Sequence, residues 1–239
     1  MKTKKITSIL LGVFITLIAV SCSKDENSGN VALKAKATFN PLSPKTSVAQ
    51  KNLSTIIISS FMINIKEIEF EIDDDDDQNE NLYSDIELKG PFELDLSSGN
   101  VSIDITSINL PLAVYDEIEF KLHKSVNELS ELFGKSIQIK GELNGIPFVF
   151  WHNFEEEFEV DYVNNAVDVV VDGTSTSAII NFDLNAVFGS TSTIDFTGAK
   201  DGNGNGIIEI NPNNDDGNAS LADFIKNLLK DNCELEEED

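Results

Sequence analysis

Residues 55–72 read TIIISSFMINIKEIEFEI. β-Branched and aromatic side chains dominate this run and alternate with polar ones, the pattern of a half-buried strand. Phe61, Ile63 and Ile65 share one parity, while Ile68, Phe70 and Ile72 share the other. A strand keeps a period of two, so the slip at Lys66 and Glu67 predicts a bulge or a bend. One half-buried strand needs others to cover it, and similar runs follow on either side.

Strands are expected over residues 31–39, 84–88, 92–96, 101–105, 114–123, 136–143, 146–152, 154–162, 166–171 and 177–184. In 114–123, Ile118, Phe120 and Leu122 alternate with Glu117, Glu119, Lys121 and His123. Asn144-Gly145 joins two of the runs as a two-residue hairpin turn, because both residues tolerate left-handed backbone angles. Three helical signals interrupt the strands. Residues 125–133, SVNELSELF, carry a capping pair in Ser125 and Glu128 and end before Gly134. Residues 183–188 fit one helical turn. Residues 220–230 place Leu221, Phe224, Ile225, Leu228 and Leu229 on one stripe, with Ser220 and Asp223 as a cap pair. Short strands separated by polar turns point to an all-β chain: a β-sandwich with a short C-terminal helix and one small inserted helix.

The charge is lopsided. The 239 residues hold 42 acidic and 17 basic side chains, the latter all lysine, for a net charge of −25. Without arginine there is no guanidinium fork for bidentate phosphate recognition. A surface of this sign repels nucleic acid, and it equally disfavours docking on an anionic membrane by charge alone.

The N-terminus reads as an address. Lys2, Lys4 and Lys5 precede an apolar run that is short for a membrane span, and small residues then lead to Cys22. Residues 1–21 are therefore expected to be a lipoprotein signal, with Cys22 the lipidated first residue and 22–30 a polar tether. Ser23-Lys24-Asp25-Glu26-Asn27 resembles the acidic export tag of Bacteroidota surface lipoproteins. A single domain over 31–230 and a disordered acidic tail over 231–239 complete the division. Residues 40–54 read as a loop, and Asp73–Asp77 as a solvated hairpin loop held open by like-charge repulsion. With Cys22 acylated, Cys233 is left without an intrachain partner, and its acidic neighbours raise its thiol pKa.

FMINIKEIEFEI, GPFELDL, YDEIEFKLHK, IKGELNGIPFVF and DGNGNGIIEINPNNDDGN, in this order, resemble segments of uncharacterised Bacteroidota surface lipoproteins. The resemblance covers most of the chain after Cys22. It implies a β-rich fold and an exposed outer-membrane location, and it brings no activity with it.

Few residues suggest chemistry. His123 and His152 are 29 positions apart, and no Gly-x-Ser-x-Gly elbow is present. Zinc wants a closer gathering of His and Cys. Glu155, Glu157, Glu159 and Asp161 share one strand face, so that row is solvated or neutralised by cations. Trp151 with Phe148, Phe150 and Tyr162 is either core or a carbohydrate platform.

The sharpest motif is DGNGNGIIEI, residues 201–210. Calcium loops supply side-chain oxygens from positions one, three and five, a glycine at six and a carbonyl at seven. Asp201, Asn203, Asn205, Gly206 and Ile207 occupy those places, but Pro212 stands where the bidentate glutamate belongs. Glu209, Asp215 or Asp216 would have to complete the shell. The alternative is a plain Gly/Asn turn. The expected function is a non-catalytic, lipid-anchored surface binding or adhesion protein, possessing an unknown glycan or protein ligand. The alternatives are a structural, fimbria-like assembly subunit and a carbohydrate-active hydrolase, which needs two carboxylates at reaction distance.

Overall fold

The structure is a computed structural model that describes residues 28–40, 54–72, 86–160, 169–189 and 192–237. The leader, Cys22, the aspartates at 73–77, Asp161 and Tyr162 lie outside the described residues.

The strands run β1 (Ser28–Thr38), β2 (Ile56–Ile72), β3 (Ile86–Asp95), β4 (Ile103–Pro111), β5 (Val114–Leu122), β6 (Ile137–Leu143), β7 (Ile146–His152), β8 (Glu157–Val160), β9 (Val169–Val170) and β10 (Thr176–Asp183). Helix α1 (Leu184–Phe188), β11 (Ile208–Ile210), helix α2 (Ala219–Asp231) and β12 (Cys233–Glu237) follow. One sheet has the order β12-β10-β1-β4. The other has the order β11-β7-β6-β2-β5-β8, with β3 added to β2 and β9 to β5. Most neighbours are antiparallel, but β1 pairs β10 and β11 pairs β7 in parallel.

β2 organises the larger sheet. Its first half pairs β6 and its second half pairs β5, while β3 lies along the opposite edge. The changeover falls at Asn64, whose N–H donates to Ser136 O and whose carbonyl accepts from His123 N. Directly beyond it, the register slips between Ile65 and Glu67 against both β3 and β5. The bulge expected from the parity change is therefore present, and Phe61, Ile63, Ile65, Ile68 and Phe70 all enter one core. Phe182 of β10 ties the layers together, packing edge-on to Phe61 at 5.4 Å and to Phe120 at 5.9 Å. Aromatic pairs of this kind contribute about 0.5–1.5 kcal/mol beyond their burial.

Several expectations need correction. Residues 125–133 form no helix: two successive turns replace it, closed by a bridge between Ser125 and Phe133. The side chains of Asn127 and Ser130 accept from Leu129 N and Leu132 N, and this local bonding competes with helix. The inserted helix is α1 instead, capped by Asp183 through Asn185 N. In place of two separate strands at 84–88 and 92–96, the described residues 86–95 form a single strand, β3, which crosses Gly90-Pro91 opposite the bulge. Pro91 is tolerated there because β3 is an edge strand.

Both ends of the expected domain move outward. β1 begins at Ser28, inside the expected tether. The acidic tail is not free, because β12 pairs β10 and turns Cys233 and Leu235 into the core. Lys36 and Asn181 both bond Glu236, so the outward acids of this strand are partly neutralised. Helix α2 starts at Ala219 with Asn218 as its N-cap residue, ahead of the expected Ser220. Its buried stripe is Ala222, Ile225 and Leu229, with Leu221 and Leu228 partly covered and Phe224 left 44% exposed.

Candidate functional site: an asparagine-rich loop and the outer face of the larger sheet

The loop from Lys200 to Asn218 enters after the single turn Phe196–Gly198 and feeds α2. Asp201 is its hub. One carboxylate oxygen accepts from Gly204 N at 2.7 Å and Asn205 N at 3.0 Å, and the other accepts from Gly206 N at 2.8 Å. Asn203 and Asn205 each accept a backbone N–H from two residues on, and both amides donate to the same Glu209 oxygen. Asp216 is buried and accepts from Asn203 N and Glu209 N. Gly204 and Gly206 take positive φ angles, which the turn requires. At Gly202 a Cβ would lie 2.3 Å from the Asp216 carbonyl, so no side chain fits there.

Asp201, Asn203, Asn205 and Glu209 are thus joined in one hydrogen-bond network, with Asp216 rather than Asp215 as its fifth side chain, but the carboxylates of Asp201, Glu209 and Asp216 do not converge as a metal-binding group. Asp215 bonds Asn211 instead. Ile207 donates its N–H to Asn205 and is 37% exposed. Asn218 was not singled out from sequence, yet its side chain spans Lys200 and the Glu209 carbonyl and closes the loop. Among the described residues, no three His, Cys, Asp or Glu side chains gather as a metal-binding group. The remaining donors are amide and carboxylate oxygens, the hard set that suits calcium. Asn211 Oδ1 is buried in the same loop without a hydrogen-bond partner in the structure, a place where a cation or a donor is still wanted.

The histidines serve other contacts. His123 lies 3.3 Å from Glu155, which also pairs Lys124. His152 is buried, and its Nδ1 accepts from both Asn153 N and Phe154 N. The ring proton therefore sits on Nε2, facing Asp223 of α2 at 3.4 Å. Lys226 pairs Glu156 beside it. These bonds dock α2 onto the end of β7. The four-membered aromatic platform does not form: Phe148 and Phe150 point into the core, whereas Trp151 lies on the other face under Lys135.

That outer face is the second place of interest. Loop 124–135 covers its upper half, reaching from Glu93 of β3, bonded to Ser125, across to Lys140 of β6, bonded to Glu131. Leu132 is fully buried beneath it, but Val126 is 77%, Leu129 97% and Phe133 52% exposed.

Below the loop, register creates rows of charge. Lys89, Glu67, Lys121 and Glu157 stand in one alternating row across β3, β2, β5 and β8. Glu87, Glu69, Glu119 and Glu159 form the next row, all of one sign. Burial, with Glu157, Glu159 and Glu69 close by, pushes the Glu119 carboxyl above its usual range. Burial alone also raises Glu67, but Lys66 and Lys121 outweigh it and hold that carboxyl low.

Among the described residues, no helix is long and apolar enough to cross a membrane. No protein-family model, curated protein or solved structure matches the chain.

Proposed function

We propose that the chain is a lipid-anchored binding or adhesion protein of the outer membrane, exposed on the cell surface and acting by contact rather than turnover. Loop 124–135 carries the binding part of this reading. Its turns are fixed by the Asn127 and Ser130 side chains while three apolar groups are held toward solvent. Rigid exposure of apolar side chains is wasteful for stability and useful for recognition, because little ordering remains to be done on binding. The anchored part rests on the leader, on Cys22 and on the resemblance to Bacteroidota surface lipoproteins. Five residues separate Cys22 from Ser28, six peptide steps in all, so the sandwich would sit within about 20 Å of its lipid.

Calcium in loop 200–218 is part of the same proposal, with a structural role. Asp201, Asn203, Asn205, Glu209 and Asp216 would hold the ion, which supplies charge neutralisation and no chemistry. The loop precedes α2 directly, so pinning it fixes where that helix starts.

Labelled palmitate should enter the wild-type protein and not Cys22→Ser, and protease should remove the domain from intact cells. A glycan array run with calcium then separates a lectin-like role from protein binding. Labelled protein that resists protease on intact cells would refute surface exposure.

A second reading has one observation in its favour. β4 ends its sheet, and among its nine residues only Asp104 is charged. Such an edge accepts another strand more readily than the charged edges of β3 and β12. Concentration-dependent polymers in solution would favour an assembly subunit.

A further inference from the structure

We propose that the outer face of the larger sheet is a docking surface for a cationic amphipathic segment of another protein. The segment's apolar side takes Leu129 and Val126, and its lysine or arginine side chains lie over Glu69, Glu87, Glu119 and Glu159. This deepens the reading of the chain as a binding protein and rests on it.

Two independent features meet on this face. The first is the loop. Leu129 is 97% exposed at the tip of a closed turn, and Leu132, three residues on, is fully buried as its anchor. Backbone bonds from Ser125 N to Lys135 O and from Gly134 N to Ser125 O shut the base of the loop. The apolar tip is therefore presented by a fixed frame.

The second feature is the glutamate row, and it says what chemistry the partner carries. Like charges directly opposite each other in a sheet destabilise it. The neighbouring row solves this with Lys89 and Lys121, whereas the row of Glu87, Glu69, Glu119 and Glu159 contains no lysine of its own; Lys89 reaches across to its end acid, Glu87, at 3.3 Å, and Glu69, Glu119 and Glu159 form the like-charged centre of the face. Basic side chains from outside would supply what the row lacks. Loop and row are five residues apart along β2, from Asn64 to Glu69, or about 15 Å. A helix of ten residues spans the same length.

Charge complementarity also disposes of the other occupants. A membrane lying against the loop would meet the glutamates on the same face, against anionic headgroups. A second copy offers no match, since the chain has no arginine and a net charge of −25.

The test uses the processed chain from residue 22 with Cys22→Ser, so that no lipid is attached. A short leucine–lysine amphipathic peptide is titrated in, following the emission of Trp151. This is the chain's single tryptophan and lies beside Lys135 at the base of the loop. Binding should saturate and weaken with salt, as screening demands. Leu129→Asp should weaken it at least about tenfold, and Glu69→Gln with Glu119→Gln should do the same. Asp104→Asn with Glu234→Gln, which removes two charges from the outward face of the smaller sheet, should leave it unchanged. No binding, no loss in Leu129→Asp, or equal loss in all three variants would overturn the proposal. So would tighter binding to phosphatidylglycerol vesicles than to the peptide, which would assign the face to a membrane. Palmitate labelling of Cys22 is read separately, so the docking surface and the anchored location stand or fall independently.

Discussion

Glu69 of β2 stands directly opposite Glu119 of β5, with Glu87 and Glu159 completing the line on either side. Replacing the central acid should relieve repulsion. Glu119→Gln is expected to raise stability by about 0.5 kcal/mol, and Glu119→Lys by somewhat more. The pH dependence follows from the raised carboxyl. A carboxyl with a higher pKa in the fold binds its proton more tightly there, so stability should rise as pH falls through that pKa toward the unfolded value. Chemical denaturation between pH 7 and pH 5 measures this, and Glu119→Gln should flatten the slope. A slope identical in the variant would assign it elsewhere.

His152 pulls the other way. Burial lowers its pKa first and Lys226 adds to this, against Asp223 and Glu156. Its Nδ1 already accepts two backbone N–H groups, leaving no place for a second ring proton. The unfolded chain therefore takes up the proton first, and stability should fall as pH drops below about 6.5. His152→Phe should lose that slope while melting lower. An NMR titration that finds the ring charged in the folded protein at pH 6.5 would contradict this arrangement.

Loop 200–218 makes a metal prediction. Calcium should raise the melting temperature and a chelator should lower it, with modest affinity on the order of 10⁻⁴ to 10⁻³ M. Asp201→Ala strands the N–H groups of Gly204, Asn205 and Gly206. It should cost about 1–3 kcal/mol and abolish the calcium response. An unchanged melting midpoint with and without calcium in the wild type would remove calcium from the account.

β12 makes a prediction about reactivity. Cys233 is buried, and burial followed by Glu234 pushes its thiol well above the usual value. A thiol reagent should leave it untouched in the native protein and label it at the rate of opening. Ending the chain at residue 231 deletes Cys233 and Leu235 from the core and exposes the edge of β10. A loss of about 3 kcal/mol or more is expected from denaturant titration.

The sandwich was legible because its strands write their burial in alternation. The parity change at Lys66 even announced the bulge. Other elements leave a weaker mark in the sequence. In the tail, acidic residues on the outward positions masked Cys233 and Leu235 on the inward ones. In SVNELSELF the spacing of Val126, Leu129, Leu132 and Phe133 imitates a helix stripe, yet only Leu132 is buried. Periodicity records which residues are apolar and not which are covered. The oxygen donors at 201, 203, 205 and 209 were readable from their spacing. Asn218 was not, since its role depends on two backbone groups that only the folded loop brings within reach.

β1, the first described strand after the proposed anchor, is an interior strand, with β10 parallel on one side and β4 antiparallel on the other. A pull at the lipid end would run along this strand rather than across it. The bonds to β10, in register from Val31–Thr176 to Thr38–Asp183, would then have to slide together instead of opening one at a time. A domain tethered in this way would be suited to bearing tension, and single-molecule stretching from residue 28 should meet far greater resistance than stretching from the β12 end.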